Sequence, residues 1–337
     1  MLNVAWGQIA ISVLGVVHAA AAFFYFSKAR HAALWAVGWL ALAAICAWSM
    51  SFQPMWSSLG FGGALTSWTL WWASIRALPR RQWVDENAYQ ATGQIDDERL
   101  VIHNRRNFRW RTRQNYTPQW DDAVYDLNDL EALDLFASSW GDPRIAHLIV
   151  SFVFRSTSPL AFSIETRRET NEKWSTLAGF MKAYELIIIA APETDLVQVR
   201  SNLRGEVVHR YRLLSTPMMR RHLLTQYVDE MNRLAIRPRF YNTIFNNCTT
   251  EVARILRAAG RRIPFAWPLI VSGYVPKFFY DIGLLDKRQP FAAIRTAGDI
   301  GTRARNLQST ADFSVRIRQP EHPAGQDNHV QTTPLVY

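Results

Sequence analysis

Hydrophobic and polar positions divide the chain into two kinds of material. Residues 9–26 read IAISVLGVVHAAAAFFYF and residues 32–52 read AALWAVGWLALAAICAWSMSF, and neither run contains Asp, Glu, Lys or Arg. Each approaches the roughly 20 apolar residues that cross a bilayer core, so the pattern predicts two transmembrane helices. A third run, residues 58–75 (SLGFGGALTSWTLWWASI), is as long but holds three glycines and several hydroxyls. Whether it spans or lies at the interface stays open, and its tryptophans suit the headgroup zone. A cleaved signal peptide competes as a reading of the first run, but no basic n-region precedes it and a second apolar run follows within a few residues. A retained anchor over residues 1–76 is the expectation. Lys28 and Arg30 turn the first loop toward the cytoplasm and, with two spans, put the rest of the chain outside. A third span would conflict with the same rule, because Arg76, Arg80 and Arg81 follow it.

Beyond Arg76 the pattern becomes that of a soluble domain, expected over residues 77–290. Residues 99–110, 146–154 (AHLIVSFVF), 160–169 (LAFSIETRRE), 184–191 (YELIIIAA) and 206–214 read as strands, with the second and third joined as a hairpin through RSTSP. The intervening YTPQWDDAVYDLNDLEALDLFASSW reads as a loop and a short helix. Residues 217–235 carry apolar positions at helical spacing behind Thr216 and Pro217, a good N-cap and first-turn pair. A second helix follows Asn247, a plausible N-cap: Val252, Ile255, Leu256 and Ala259 recur at i, i+3, i+4 and i+7, and Gly260 supplies the stop. Residues 291–337 are polar and are expected to be disordered. The fold class expected is α+β: membrane helices, then a domain with an antiparallel sheet and a Cys-bearing helix.

Composition changes the picture in two respects. The net charge of +10 raises a nucleic-acid reading, and arginines cluster at Arg105, Arg106, Arg109, Arg111 and Arg113. Yet their alternation reads as one solvated face of a strand, no nucleic-acid module surrounds them, and basic residues serve a membrane-attached protein against anionic headgroups. Nucleic acid is therefore not an expected partner, whereas the lipid bilayer is. Of the two cysteines, Cys46 lies in an apolar run and Cys248 in the soluble part, so a disulfide, a zinc site or another metal site is not expected, nor is a cofactor.

Cys248 would open its helix on the buried face. A helix N-terminus offers unpaired N–H groups and a positive dipole end that favour the thiolate, and those same groups can hold the oxyanion of acyl transfer. Against this stands the bland reading of a small hydrophobe on an apolar face. A nucleophile needs a base, and of the eight histidines His147 is singled out because it opens an apolar strand after the turn GDPR. A hairpin turning at residues 155–159 sets it near Glu165 and Arg167. Glu165 is then the candidate orienter with Ser163 behind it, although a one-residue slip would change the facing side.

Six ordered motifs, RNFRWRTRQNYTPQWDDAVYDL, IAHLIVSFVF, SIETRRE, FMKAYELIIIAA, TDLVQVRSNLRGE and PRFYNTIFNNCTTEV, resemble over residues 100–260 the bacterial Lnb N-terminal periplasmic domain family, Lnb being a lipoprotein N-acyltransferase. The resemblance implies a papain-like, NlpC/P60-like domain facing the periplasm with a Cys-His pair. The family's AH motif falls on Ala146 and His147 and its NC motif on Asn247 and Cys248. Histidine precedes cysteine, so the order looks circularly permuted relative to common NlpC/P60 enzymes. The acyltransferase carries its membrane bundle after the soluble domain, whereas here the apolar runs stand in front.

The expected function is that of a thiol-dependent acyltransferase anchored in the bacterial inner membrane. His147 would serve as base to Cys248, Glu165 as third residue and Asn247 as oxyanion support, with lipoprotein or phospholipid acyl groups as substrates. Rival readings are a cell-wall peptide hydrolase using the same pair and a non-catalytic binding domain in which Cys248 packs.

Overall fold

A computed structural model of the protein describes residues 2–25, 32–175, 178–305 and 312–319. The apolar runs form helices α1 (Leu2–Tyr25), α2 (Ala32–Ser49) and α3 (Pro54–Ser74). Gly15 lets α1 and α2 close up: a Cβ there would sit 2.2 Å from that of Ala43, the small-residue contact by which apolar helices pack. By length and composition α1 can cross a bilayer at Val4–Phe23, whereas the apolar stretch of α2, Ala33–Ser49, falls short. Of the two spans expected, one is thus long and apolar enough to cross and the other is a shorter apolar helix. Helix α3 is less apolar, but Thr66, Ser67 and Thr69 turn their hydroxyls back onto the carbonyls of Gly62, Gly63 and Leu65, which removes part of the cost of apolar surroundings. Lys28 and Arg30, on which the topology argument turned, lie outside the described residues.

The soluble part begins with strands β1 (Thr92–Asp96), β2 (Arg99–Arg106), β3 (Arg109–Trp110), β4 (Tyr116–Thr117) and β5 (Trp120–Asp126), followed by β6 (Leu130–Ser139), β7 (Ala146–Phe154), β8 (Leu160–Arg167) and β9 (Glu185–Pro192). The short helix α4 (Glu193–Leu196), strand β10 (Val207–Arg212) and helices α5 (Pro217–Ile236), α6 (Cys248–Ala258) and α7 (Val275–Asp281) complete the frame. Strands β10-β6-β7-β8-β9 form an antiparallel sheet in that order, and β1-β2-β5 form a smaller one.

Period-two alternation assigns the two faces of the large sheet. Leu148, Val150, Phe152, Phe162 and Ile164 enter the main core with the buried stripes of α5 and α6. Ile149, Ala161, Ile187 and Ile189 enter a second core on the other face. Both faces are covered, which explains why residues 185–192 are buried without interruption.

Two expectations are corrected here. Residues 116–140 are mainly strands, not a loop and helix: Leu, Glu and Ala favour helix, but β6 is a central strand whose buried Asp134 pairs with Arg210, Arg212 and Arg318. The tail expected to be disordered from 291 is instead helical in α8 (Phe291–Gly298), α9 (Gly301–Arg305) and α10 (Phe313–Arg316). Ile300, Ala304, Phe313 and Ile317 are buried in the second core, and Arg318 bonds Asp134 and Glu193. The remainder of that tail, 306–311 and 320–337, lies outside the described residues.

The basic strand also differs from its expected solvated face. Arg106 is buried in a bidentate pair with Asp195 at 2.9 and 3.0 Å, and Arg105 pairs bidentately with Asp121 at 2.8 and 2.9 Å.

Candidate functional site

Cys248 is the first residue of α6, and its setting is built by Asn247. The Asn247 side-chain carbonyl accepts from the amides of Thr249 and Thr250, both at 2.9 Å, while the Thr250 hydroxyl accepts from the Asn247 amide at 2.9 Å, a reciprocal capping box. Asn247 Nδ2 donates to the Thr243 carbonyl at 2.8 Å. With the second and third amides of the helix taken up by the cap, the Cys248 N–H is the first-turn amide left without a hydrogen-bond partner among the described residues. Asn247 therefore supports the thiol by holding the helix end, and its amide group is already committed to protein partners.

The thiol faces β7. Residue pairing between β7 and β8 runs from Ile149–Ser163 to Phe152–Leu160 and stops there, so the strands part at Leu148. The Leu148 N–H, which has no β8 partner, is directed at Cys248 Sγ. Thr249 Oγ1 stands 3.8 Å from the same sulfur. Burial pushes the thiol pKa up, opposed by the Leu148 amide, the Thr249 hydroxyl and the Arg200 charge. In this state the group is a thiol.

His147 lies one residue from that amide, and alternation turns its ring to the sheet face opposite α6. Its Nε2 is 2.6 Å from Ser163 Oγ, which donates to Glu165 Oε1 at 2.8 Å. Because the single serine proton goes to the carboxylate, Oγ must accept from the imidazole, so Nε2 carries the proton and Nδ1 is the free acceptor. Burial and the nearby Arg200 guanidinium pull the His147 pKa down to about 3, against the pull of Glu165. Burial alone would raise Glu165, but the neighbouring imidazole and the Arg200 and Arg106 guanidiniums outweigh it and hold the carboxylate below its usual range.

The structure therefore brings Cys248, His147, Glu165 and Asn247 to one end of the sheet. It joins His147 to Glu165 through Ser163, with the direct approach being 3.7 Å, and places no hydrogen bond between Cys248 and His147. Sequence reasoning put Ser163 behind Glu165, whereas it stands between Glu165 and the imidazole.

Sequence reasoning also missed Arg200, which bonds Glu165 at 3.4 Å and Glu206 at 3.1 Å. Glu206 in turn accepts from Ser138 on β6. Both residues lie within TDLVQVRSNLRGE, a stretch already singled out, and an arginine and a glutamate there were the available signal.

The start of β7 is fixed from outside. Ser272 Oγ accepts from the Ala146 amide at 2.8 Å, and the Gly273 amide donates to Arg144 at 2.9 Å. A Cβ on Gly273 would fall 2.1 Å from the Pro143 carbonyl oxygen, so this close approach requires glycine.

Among the described residues no group of three or more His, Cys, Asp or Glu side chains is placed to hold a metal ion. A hollow of about 590 Å³ is lined by Met218, His222, Gly260 and neighbours at the far end of α6 and does not include Cys248.

No curated protein and no solved structure matches the chain. Residues 116–274 match the Lnb N-terminal periplasmic domain family. The matched segment runs from β4 through Tyr274 and includes Cys248, His147, Ser163, Glu165 and Arg200. Over this segment the chain is similar to the Lnb N-terminal periplasmic domain family, as its ordered motifs led one to expect.

Proposed function

We propose that the protein is a membrane-anchored thiol enzyme of the bacterial inner membrane, with a papain-like domain on the periplasmic side, that transfers acyl groups through Cys248. The observation that carries this reading is the pairing of an unpartnered Cys248 N–H and a Leu148 N–H aimed at the sulfur with an imidazole held in one tautomer by Ser163 and Glu165. His147 Nδ1 takes the thiol proton, which requires the ring to reach the sulfur as substrate binds. The thiolate attacks the carbonyl carbon of an ester, and the Cys248 N–H stabilises the oxyanion. Collapse expels the alcohol, which takes the proton back from the imidazolium and leaves a thioester on Cys248. An amine or water then attacks that thioester, gives its proton to Nδ1, and restores the thiolate as leaving group. Phospholipid is the favoured donor and lipoprotein the favoured acceptor, because the anchor keeps the site beside the bilayer.

The test uses the full chain in detergent with a p-nitrophenyl acyl ester. A burst of one nitrophenol per chain, with a hydroxylamine-labile adduct on Cys248 that is lost in Cys248→Ala and slowed in His147→Ala, supports the reading. An adduct elsewhere, or a rate indifferent to His147, overturns it. The missing bond between thiol and imidazole, together with a thiol pushed upward by burial, favours a second reading: a non-catalytic binding domain. That reading predicts no adduct at all.

A further inference from the structure

Helices α1, α2 and α3 leave large apolar side chains outward along their length, among them Val16, Leu34, Ile45 and Leu59. Such a surface calls for an apolar surrounding, and a bilayer that supplies it must have a boundary near the end of α3, where Trp71 and Trp72 sit. The soluble domain is docked at that end. Lys182 Nζ donates to the carbonyls of Trp72 at 2.6 Å and Ile75 at 3.3 Å, a cation closing a helix C-terminus. The same ammonium lies 5.5 Å from the ring centre of Trp72 and 5.6 Å from that of Phe240.

Two exposed aromatics lie on the chain segments that carry Phe240 and Lys182: Phe245, 71% exposed, five residues after Phe240, and Trp174, 58% exposed, eight residues before Lys182. Neither is on a loose strand end. The Asn242 side chain accepts from the amides of Ile244 and Phe245, both at 3.0 Å, and Asn242 and Asn246 exchange backbone bonds, so a closed turn presents Phe245. Tyr184 holds the other segment: its hydroxyl accepts from Ser175 and donates to Lys173, and its carbonyl accepts from the Tyr241 amide. The turn is tied to Cys248 as well, through the bond from Asn247 Nδ2 to Thr243.

We propose that Phe245 and Trp174, with Lys182 and Trp72 at the end of α3, form a rim that docks on the lipid interface and seats the Cys248 end of the domain against the headgroups. Aromatic rings beside a lysine are the side chains that partition to that zone. This surface rests on the membrane-anchored part of the proposed function and not on its thiol chemistry.

The test places a nitroxide at one position at a time, using Trp174→Cys, Phe245→Cys or Arg288→Cys in the full chain with Cys46→Ser and Cys248→Ser, reconstituted in lipid nanodiscs. Relaxation by oxygen relative to a water-soluble nickel chelate is expected to be severalfold higher at 174 and 245 than at 288, whose side chain is 88% exposed. Equal ratios at the three positions overturn the proposal. Dipolar broadening between labels at 245 also overturns it, since a second copy of the chain would then cover the rim. The unlabelled chain gives an independent reading: chymotryptic cleavage after Phe245 and Trp174 should be suppressed in nanodiscs relative to detergent, and equal cleavage again overturns it. Because Cys248 is absent from the labelled proteins, failure here leaves the acyl-enzyme assignment to its own test.

Discussion

The imidazole of His147 reaches the carboxylate of Glu165 through the hydroxyl of Ser163, at 2.6 and 2.8 Å. This relay fixes which ring nitrogen is free to act on Cys248. Ser163→Ala should therefore slow thioester formation on Cys248 by roughly 10- to 100-fold, the range that corresponds to losing a hydrogen bond to a charged group. Glu165→Gln should lie in the same range and His147→Ala below it. Ser151→Ala is the control: that buried hydroxyl donates to Glu193 on the same sheet face and should cost stability without changing the rate. Equal rates in Ser163→Ala and wild type, read by mass spectrometry of the adduct, would remove Ser163 from the site.

The resting thiol should be slow toward iodoacetamide at neutral pH. Burial pushes its pKa up, so the alkylation rate is expected to keep rising beyond the ordinary thiol value of about 8.5. In His147→Ala the profile should move little, because no hydrogen bond links the two groups before substrate binds. A plateau at neutral pH that disappears in the variant would instead mark a preformed thiolate–imidazolium pair.

Acid should destabilise the domain, and the sign follows from the two shifted groups. The folded His147 takes a proton only near pH 3, whereas in the unfolded chain it does so near 6.5. Between these values the unfolded state binds the extra proton, so stability present above about pH 6.5 is lost progressively as pH falls toward 3. Glu165, held below the usual carboxylate range, adds a loss of the same sign below about pH 4.3. Melting temperature in detergent should drop between pH 7 and pH 4, and His147→Gln should flatten that slope.

Asn247 separates capping from charge. Asn247→Ala removes the acceptor for two amides and should cost about 1–2 kcal/mol. Asn247→Asp keeps the acceptor and should cost less stability, but its negative charge beside Cys248 should slow alkylation further. Thermal melts and alkylation rates on the same preparations distinguish the two effects; a neutral Asn247→Ala would contradict the capping role.

Gly273→Ala should displace the turn that starts β7. The added Cβ meets the Pro143 carbonyl, an overpacking that costs about 1–3 kcal/mol, and the shift is passed to His147 through the Ser272–Ala146 bond. Gly141→Ala lies in open space at φ 70° and should cost about 1 kcal/mol for backbone conformation alone. Only the first should slow thioester formation.

Local patterns explain why much of this was readable along the chain. The hairpin of β7 and β8, the buried strand β9, and α5 with its Thr216 cap are each specified by side chains within a few residues. So is α6, from the Asn247 cap to Gly260 at φ 84°. The parity of the hairpin was legible too, which is why His147, Ser163 and Glu165 fall on one sheet face. The segment 116–140 was misread because its helix-favouring residues are overruled by partners far away, Arg210 and Arg318 on Asp134. The tail beyond 291 was misread because its scattered apolar side chains, Ile300, Ala304, Phe313 and Ile317 among them, make no core until the second sheet face supplies the rest of it.

The sequence by itself determined the apolar front of the chain, the elements of the hairpin, and the placing of one thiol at the head of a capped helix, since each depends on neighbours along the backbone. Only the tertiary structure decided that β7 and β8 part at Leu148 and leave an amide for the sulfur, that Ser163 stands between His147 and Glu165, and that Arg200 holds the carboxylate ionised. Those relationships join positions up to 100 residues apart, and their geometry depends on the crossing of strands and helices, which no local pattern of side chains encodes.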